Sequence, residues 1–280
     1  MYEIIRKETL SPLVRQYVIR APYVVRHAEP GQFVIIRVSK DGERVPMTIH
    51  ATDKTEGTVT IIVQTVGATT IELDTLDAGD HLADVVGPLG KATDVSGVRR
   101  ALVVGGGLGS AIAWPVAEAL KNQGAHVDTV LGFRSKDLVI LEDRFKDVSD
   151  RLFVMTDDGT YGRKGFVTDM MKTLIQDSRS YDRIYAIGPL VMMKYVSLLT
   201  KPFGIPTIVS MNPVMVDGTG MCGGCRLTVG GKTVFACVDG PDFDGHQVDF
   251  DEAINRASFY NTFEKTRRDE ACRLFKVDLS

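Results

Sequence analysis

Hydrophobic and polar positions change rhythm twice along the chain. Through residues 1–97 they alternate in short, β-branched runs at 2–7, 14–20, 32–38, 47–51 and 58–66. Period-two alternation suits strands with one buried face. Turn formers separate the runs: Glu29-Pro30-Gly31, Asp41-Gly42 and Glu56-Gly57. Short, regularly spaced strands predict a small antiparallel β-barrel, with a short helix interrupting it at 70–76.

From 98 to 208 apolar runs alternate with helical periodicity. Strands are predicted at 100–104, 126–133, 152–156 and 183–187, and helices at 112–122, 141–145, 166–176 and 190–200. Such alternation implies a parallel sheet covered on both faces. From 209 to 280 comes a glycine-rich loop with three cysteines, then a polar, charged tail. Its stretch 256–273 reads equally as a partner-packing segment or a solvated helix. The fold class is therefore α+β multi-domain: an antiparallel barrel at 1–97, an α/β domain at 98–208 and a small C-terminal subdomain at 209–280.

Composition narrows the setting. The 280 residues are 44% hydrophobic with a formal net charge of -3, which argues against a nucleic-acid surface or a polybasic membrane anchor. The longest apolar runs (59–63, 101–104, 152–155) fall far short of the roughly 20 residues of a membrane span. The first residues lack a signal-peptide stretch, so a cytoplasmic protein is expected. There are four cysteines, and Cys222, Cys225 and Cys237 crowd into one glycine-rich segment. In a reducing compartment that clustering argues for a metal rather than disulfides.

Val103-Val104-Gly105-Gly106-Gly107-Leu108-Gly109-Ser110 stands between a predicted strand and helix. Glycines there let backbone approach a phosphate, and the helix start offers free N–H groups. Gly105, Gly106, Gly107 and Gly109 are thus nucleotide-binding candidates, against the plainer reading of a tight strand-to-helix turn. Ser110 takes the last position of the G-x-G-x-x-G pattern. Phe133-Arg134-Ser135 stands where an acidic residue is expected. Arg134 suits a 2′-phosphate, or is a solvated loop arginine.

A second anion cradle lies in the barrel. Arg44 and Thr48, four residues apart on one strand, face the same way. Val66-Gly67-Ala68-Thr69-Thr70 opens the short helix with glycine and hydroxyls. Taken singly, these are an ordinary strand arginine and ordinary helix caps.

The cysteine loop, Asp217-Gly218-Thr219-Gly220-Met221-Cys222-Gly223-Gly224-Cys225, lacks a fourth thiol. Plant-type [2Fe–2S] sites space their ligands C-x₄-C-x₂-C with a distant fourth cysteine. Laid on this loop, the template puts Cys222 and Cys225 on the x₂ pair, Cys237 on the distant ligand and Asp217 on the first position. Cys272 competes as fourth ligand from the charged tail. A zinc knuckle is the alternative, although His246 is the only nearby imidazole.

Together these motifs resemble the ferredoxin–NADP reductase superfamily, a flavin-binding barrel followed by a nicotinamide-binding α/β domain. Arg44, Pro46 and Thr48 match its Arg-x-Tyr/Pro-x-Ser/Thr strand; Gly67, Thr69 and Thr70 match its helix-start motif. The resemblance implies FAD contacts from Arg44, Pro46, Met47, Thr48, Val63, Gly67, Thr69 and Thr70. Ile187-Gly188-Pro189 resembles its Cys-Gly-Pro segment, implying nicotinamide contacts from Gly188 and Pro189. Pro46 replaces a stacking tyrosine, and Ile187 the usual cysteine.

With the cysteine loop appended, the chain is similar to the small subunits of NADH-dependent reduced ferredoxin:NADP oxidoreductase and sulfide dehydrogenase, a group whose cluster takes one aspartate and three cysteines. The alternative likeness is to the electron-transfer subunit of dihydroorotate dehydrogenase. The first group implies FAD, a [2Fe–2S] cluster, NAD(H) or NADP(H), and a larger partner flavoprotein carrying FAD and [4Fe–4S] clusters within an electron-bifurcating complex. Flavin belongs between a two-electron hydride carrier and a one-electron cluster. No general acid or nucleophilic triad is implied.

Overall fold

The structure, a computed structural model, describes residues 2–176 and 180–277. The first segment comprises β1 (Tyr2–Ser11), β2 (Val14–Arg20), α1 (Pro22–Val25), β3 (Phe33–Arg37), β4 (Arg44–Thr48), β5 (Ala51–Asp53), β6 (Thr58–Gln64), α2 (Ala68–Asp74), β7 (His81–Leu82) and β8 (Asp84–Leu89). Two antiparallel sheets, ordered β5-β6-β2-β1-β7 and β4-β3-β8, close on one core. Ile4, Tyr17, Val34, Ile36, Ile61, Leu82 and Val85 fill it. Along β6 the alternation is plain: Val59, Ile61 and Val63 point into this core, while Ile62 faces the next domain.

The strand expected at 47–51 is divided. β4 ends at Thr48 and β5 starts at Ala51, and the two residues that connect them, Ile49 and His50, are buried. β8 escapes the alternation pattern because Gly87 and Pro88 interrupt it. Its place at a sheet edge lets a residue without an N–H be tolerated.

The second segment runs β9 (Arg100–Gly106), α3 (Gly109–Asn122), β10 (His126–Phe133), α4 (Glu142–Val148), β11 (Arg151–Thr156), β12 (Arg163–Lys164), α5 (Val167–Gln176), β13 (Arg183–Ile187), α6 (Leu190–Thr200) and β14 (Thr207–Ser210). Its strands form a sheet ordered β12-β11-β10-β9-β13-β14, all parallel. Burial on both faces explains the unbroken apolar run of β9. Leu102 and Val104 enter one core, Ala101 and Val103 the opposite one.

The last segment adds β15 (Arg226–Val229), β16 (Lys232–Phe235), α7 (Ala236–Asp239), β17 (Asp242–Asp244), α8 (Phe250–Ser258) and α9 (Asn261–Phe275). β17 pairs antiparallel with β14 and becomes the seventh strand of the sheet. The polar tail is helical, and α9 packs against α2 of the barrel. One apolar core contains Phe33 and Ile35 of the barrel, Val104 of the parallel sheet, and Met215, Cys225, Leu227 and Cys237 of the cysteine segment. Among the described residues no helix is long and apolar enough to cross a membrane.

Candidate functional site

β9 delivers the glycine loop to the start of α3, and the four glycines serve different ends. Gly107 sits at φ +54 with open space where a Cβ would project. Its left-handed backbone excludes other side chains cheaply, and its free face suits a phosphate. Gly109 has no such room. A Cβ there would strike the Ile187 carbonyl and lie 2.7 Å from the Gly188 Cα. One on Gly106 would meet the Met192 sulfur and come within 3.1 Å of Pro189. One on Gly105 would lie 2.9 Å from the Ser110 Cα. The structure therefore packs the glycine loop directly on the turn carrying Gly188 and Pro189.

At the end of β10, Arg134 is exposed, and the Ser135 hydroxyl donates to Asp137 at 2.5 Å. Asp137 itself is exposed in the turn that follows the strand, four residues past its end.

β4 is one of the two edge strands of its sheet, and Arg44, Pro46, Met47 and Thr48 are all half-buried. The strand thus offers an apolar strip beside a guanidinium. At the start of α2 the space over Gly67 is open. The Thr70 hydroxyl accepts from the N–H groups of Val66 and Gly67, each at 3.0 Å, so it shapes the helix entry. Thr69 donates to the Glu43 carboxylate at 2.9 Å. Val63 is buried in the barrel core, which leaves only its backbone available to a ligand. A half-open apolar strip, a guanidinium and an open glycine fit a flat aromatic group bearing a diphosphate.

In the cysteine loop, Gly218, Gly220 and Gly223 take φ of +76, +82 and +68, which folds the chain tightly back on itself. Cys225 and Cys237 are each 1% exposed, with sulfurs 3.2 Å apart, whereas Cys222 is exposed. Asp217 accepts the N–H groups of Thr219 (3.0 Å), Met221 (3.0 Å) and Cys222 (2.7 Å). The Thr219 bond first, with that from Cys222, pulls its pKa down to about 2. Burial, reinforced by the Cys225 thiol, pushes Cys237 up to about 12. Among the described residues no three acidic, thiol or imidazole side chains converge tightly enough for a single metal ion. Two buried thiols, an exposed third thiol and an anionic carboxylate stand on one glycine-rich frame, a thiol-rich donor set of the kind an iron–sulfur cluster takes. Cys272, the competing fourth ligand, lies on α9, which packs on α2.

The cysteine segment is also tied to β4. Arg44 Nε donates to the Val216 carbonyl at 2.8 Å, one residue before Asp217. A Cβ on Gly218 would lie 2.7 Å from Leu89 and 2.8 Å from Ile35, so this glycine seats the loop on the barrel.

Residues 212–249 match the family described as the iron–sulfur cluster binding domain of dihydroorotate dehydrogenase B. Over 263 residues the chain is 48% identical to a Thermotoga maritima protein named as a homologue of the dihydroorotate dehydrogenase B (NAD(+)) electron transfer subunit, covering 94% of this chain and 93% of that one. A Fusobacterium nucleatum dihydroorotate dehydrogenase B electron transfer subunit is 35% identical over 242 residues, covering 83% and 92%. A chain from a solved structure of NADH-dependent reduced ferredoxin-NADP oxidoreductase is 46% identical with a TM-score of 0.91, covering 96% and 97%. A ferredoxin reductase of carbazole 1,9a-dioxygenase shares the fold at 19% identity and a TM-score of 0.62, covering 73% and 65%. The chain belongs to the family of dihydroorotate dehydrogenase B electron transfer subunits and their homologues, built on the ferredoxin reductase fold.

Proposed function

We propose that this chain carries electrons between NAD(H) and a larger partner flavoprotein through FAD and a [2Fe–2S] cluster, within a bifurcating NADH/ferredoxin:NADP transhydrogenase. When bound, FAD exchanges a hydride with nicotinamide and single electrons with the cluster. The chain's residues supply placement. Arg44, Thr48 and the Gly67–Thr70 turn hold the FAD diphosphate, while Pro46, Met47 and the backbone at Val63 line its ring. Gly105, Gly106, Gly107 and Gly109 receive the dinucleotide phosphates, and Gly188 with Pro189 bounds the nicotinamide. Asp217, Cys222, Cys225 and Cys237 hold the cluster. Asp137 beside Ser135 supports a ribose hydroxyl over a 2′-phosphate near Arg134, and hence NAD(H).

The observation that carries this reading is the bond from Arg44 to Val216. It ties the strand assigned to the flavin to the loop assigned to the cluster, and so favours direct electron passage between them. Around the loop, Met221, Val214 and Val216 are exposed apolar side chains, which suits docking of the partner that receives the electrons. Within that partner, a second FAD and [4Fe–4S] clusters would take the electrons onward. The bifurcating assignment draws on the 46% identity to the solved NADH-dependent reduced ferredoxin-NADP oxidoreductase chain and on the aspartate at position 217.

Low-temperature EPR of the dithionite-reduced protein, beside an Asp217→Ala variant, tests the ligand set. A [2Fe–2S] signal altered or lost in the variant supports it. An unchanged signal moves the fourth ligand elsewhere, and stoichiometric zinc without a signal removes the electron-transfer reading. The second reading, an electron-transfer subunit delivering electrons from NADH to a dihydroorotate dehydrogenase, is favoured by the names of several relatives. Purification with an orotate-forming flavoprotein would decide for it.

A further inference from the structure

His50 lies two residues beyond β4 and is 1% exposed. Both ring nitrogens are engaged, each by the neighbouring domain. Nδ1 lies 2.7 Å from the Ala111 carbonyl in the first turn of α3. Nε2 lies 2.6 Å from Arg144 of α4. Arginine only donates, so Nε2 accepts and Nδ1–H must be the donor to Ala111. Trp114 packs against the imidazole with ring centroids 4.9 Å apart and donates its indole N–H to the Arg144 carbonyl at 3.2 Å. The Arg144 guanidinium lies over the Trp114 ring at 5.3 Å.

The sequence explains why this carbonyl is available. In an α-helix the Ala111 carbonyl accepts from the N–H of residue 115. Residue 115 is proline, inside α3, and has no N–H. The acceptor left behind is filled from the barrel.

We infer that Pro115 frees the Ala111 carbonyl for His50, and that this bond makes His50 a positioning residue fixing the nucleotide-binding helix against the flavin strand. The positioning role rests on the function proposed above; the bond itself does not. Ala111 lies two residues past Gly109, so the bond sets where the glycine loop stands relative to β4. The contact spans the two elements that must be held in register for a hydride to pass, and it touches neither reacting group.

The test is a cycle of His50→Ala, Pro115→Ala and the double variant. The stability arm uses the chain without added nucleotide. His50→Ala strands a buried carbonyl and should lower Tm by about 4 °C or more. In the double variant the Pro115→Ala substitution restores the missing helical N–H, so about half or more of that loss should return. Independent, additive effects of the two substitutions would overturn the coupling.

The second arm separates positioning from stability. With FAD content and the cluster EPR spectrum matched to wild type, stopped-flow reduction of flavin by NADH should be about tenfold slower at saturation in both His50 variants. The NADH dissociation constant should change less than about threefold, and the nicotinamide–flavin charge-transfer absorbance should weaken. A double variant that regains both Tm and the wild-type rate would overturn the positioning role. If wild-type flavin is not reduced by either nicotinamide, the function proposed above fails, while the stability arm still decides the coupling.

Discussion

Arg44 reaches out of the edge strand β4 and donates from Nε to the carbonyl of Val216, 2.8 Å away, immediately before Asp217. Among the described residues its terminal nitrogens make no hydrogen bond, so one guanidinium can serve both this carbonyl and a diphosphate. Lysine carries the charge without the planar fork. Arg44→Lys should therefore retain most of its FAD while broadening or shifting the cluster EPR signal. Arg44→Ala should lose FAD as well. Flavin content and EPR on the same samples check this, and an unchanged signal in both variants would break the proposed link.

The glycine loop gives a contrast between neighbours. Gly107→Ala meets open space but must hold φ +54, costing about 1 kcal/mol of strain and crowding the phosphate face. It should weaken NADH binding more than stability. Gly109→Ala pushes on the Ile187 carbonyl and forces the Gly188–Pro189 turn away. It should lower Tm and NADH affinity together. Titration and melting of the two variants check the ordering.

His50 predicts a pH dependence. Burial pushes its pKa down to about 4; the bond to Ala111 opposes this, and Arg144 adds to the fall. Arg144 is the charged group that contacts the ring, and Glu118 of α3 lies within the field of Arg144. Below about pH 6.5 the unfolded chain takes up a proton that folded His50 refuses, so stability falls until about pH 4. That single group contributes roughly 3 kcal/mol across the window. Denaturant midpoints at about pH 7.5 and about pH 5 should differ less in His50→Gln than in the wild type.

Asp128 tests a site away from the redox chemistry. It is fully buried on β10, held by Arg151 at 2.7 Å, Arg100 at 3.2 Å, His126 at 3.1 Å and Tyr181 at 2.7 Å. Burial raises its pKa, but the Arg151 and Tyr181 bonds outweigh that and bring it to about 2. The stabilisation is complete above the ordinary carboxylate range near about pH 4 and is lost as pH falls toward about 2. Asp128→Ala leaves Arg151 and Arg100 uncompensated and should cost about 3 kcal/mol. Flavin and cluster spectra of the surviving folded protein should be unchanged.

Where a motif's place depends on local chain geometry, it was legible in the sequence. The glycine loop follows a strand, the cysteine spacing is short-range, and both stand where they were expected. The misses depend on distant partners. His50 read as one more strand residue, because its meaning comes from Pro115 and Arg144. The tail read as polar because α9 buries little beyond Ala271. β17 was invisible because Asp242-Phe243-Asp244 is too short to carry a pattern, and pairing with β14 is what makes it a strand.

That seventh strand bears on how the protein is made. β14 leaves the ribosome well before its antiparallel neighbour, so the rim of the parallel sheet waits, unpaired, until the cysteine segment has been synthesised. The cysteine loop lies between the two strands in the chain, so pairing of β17 with β14 closes the sheet only after that loop has been made. A chain stopped after β14 would present an open sheet edge to other nascent chains.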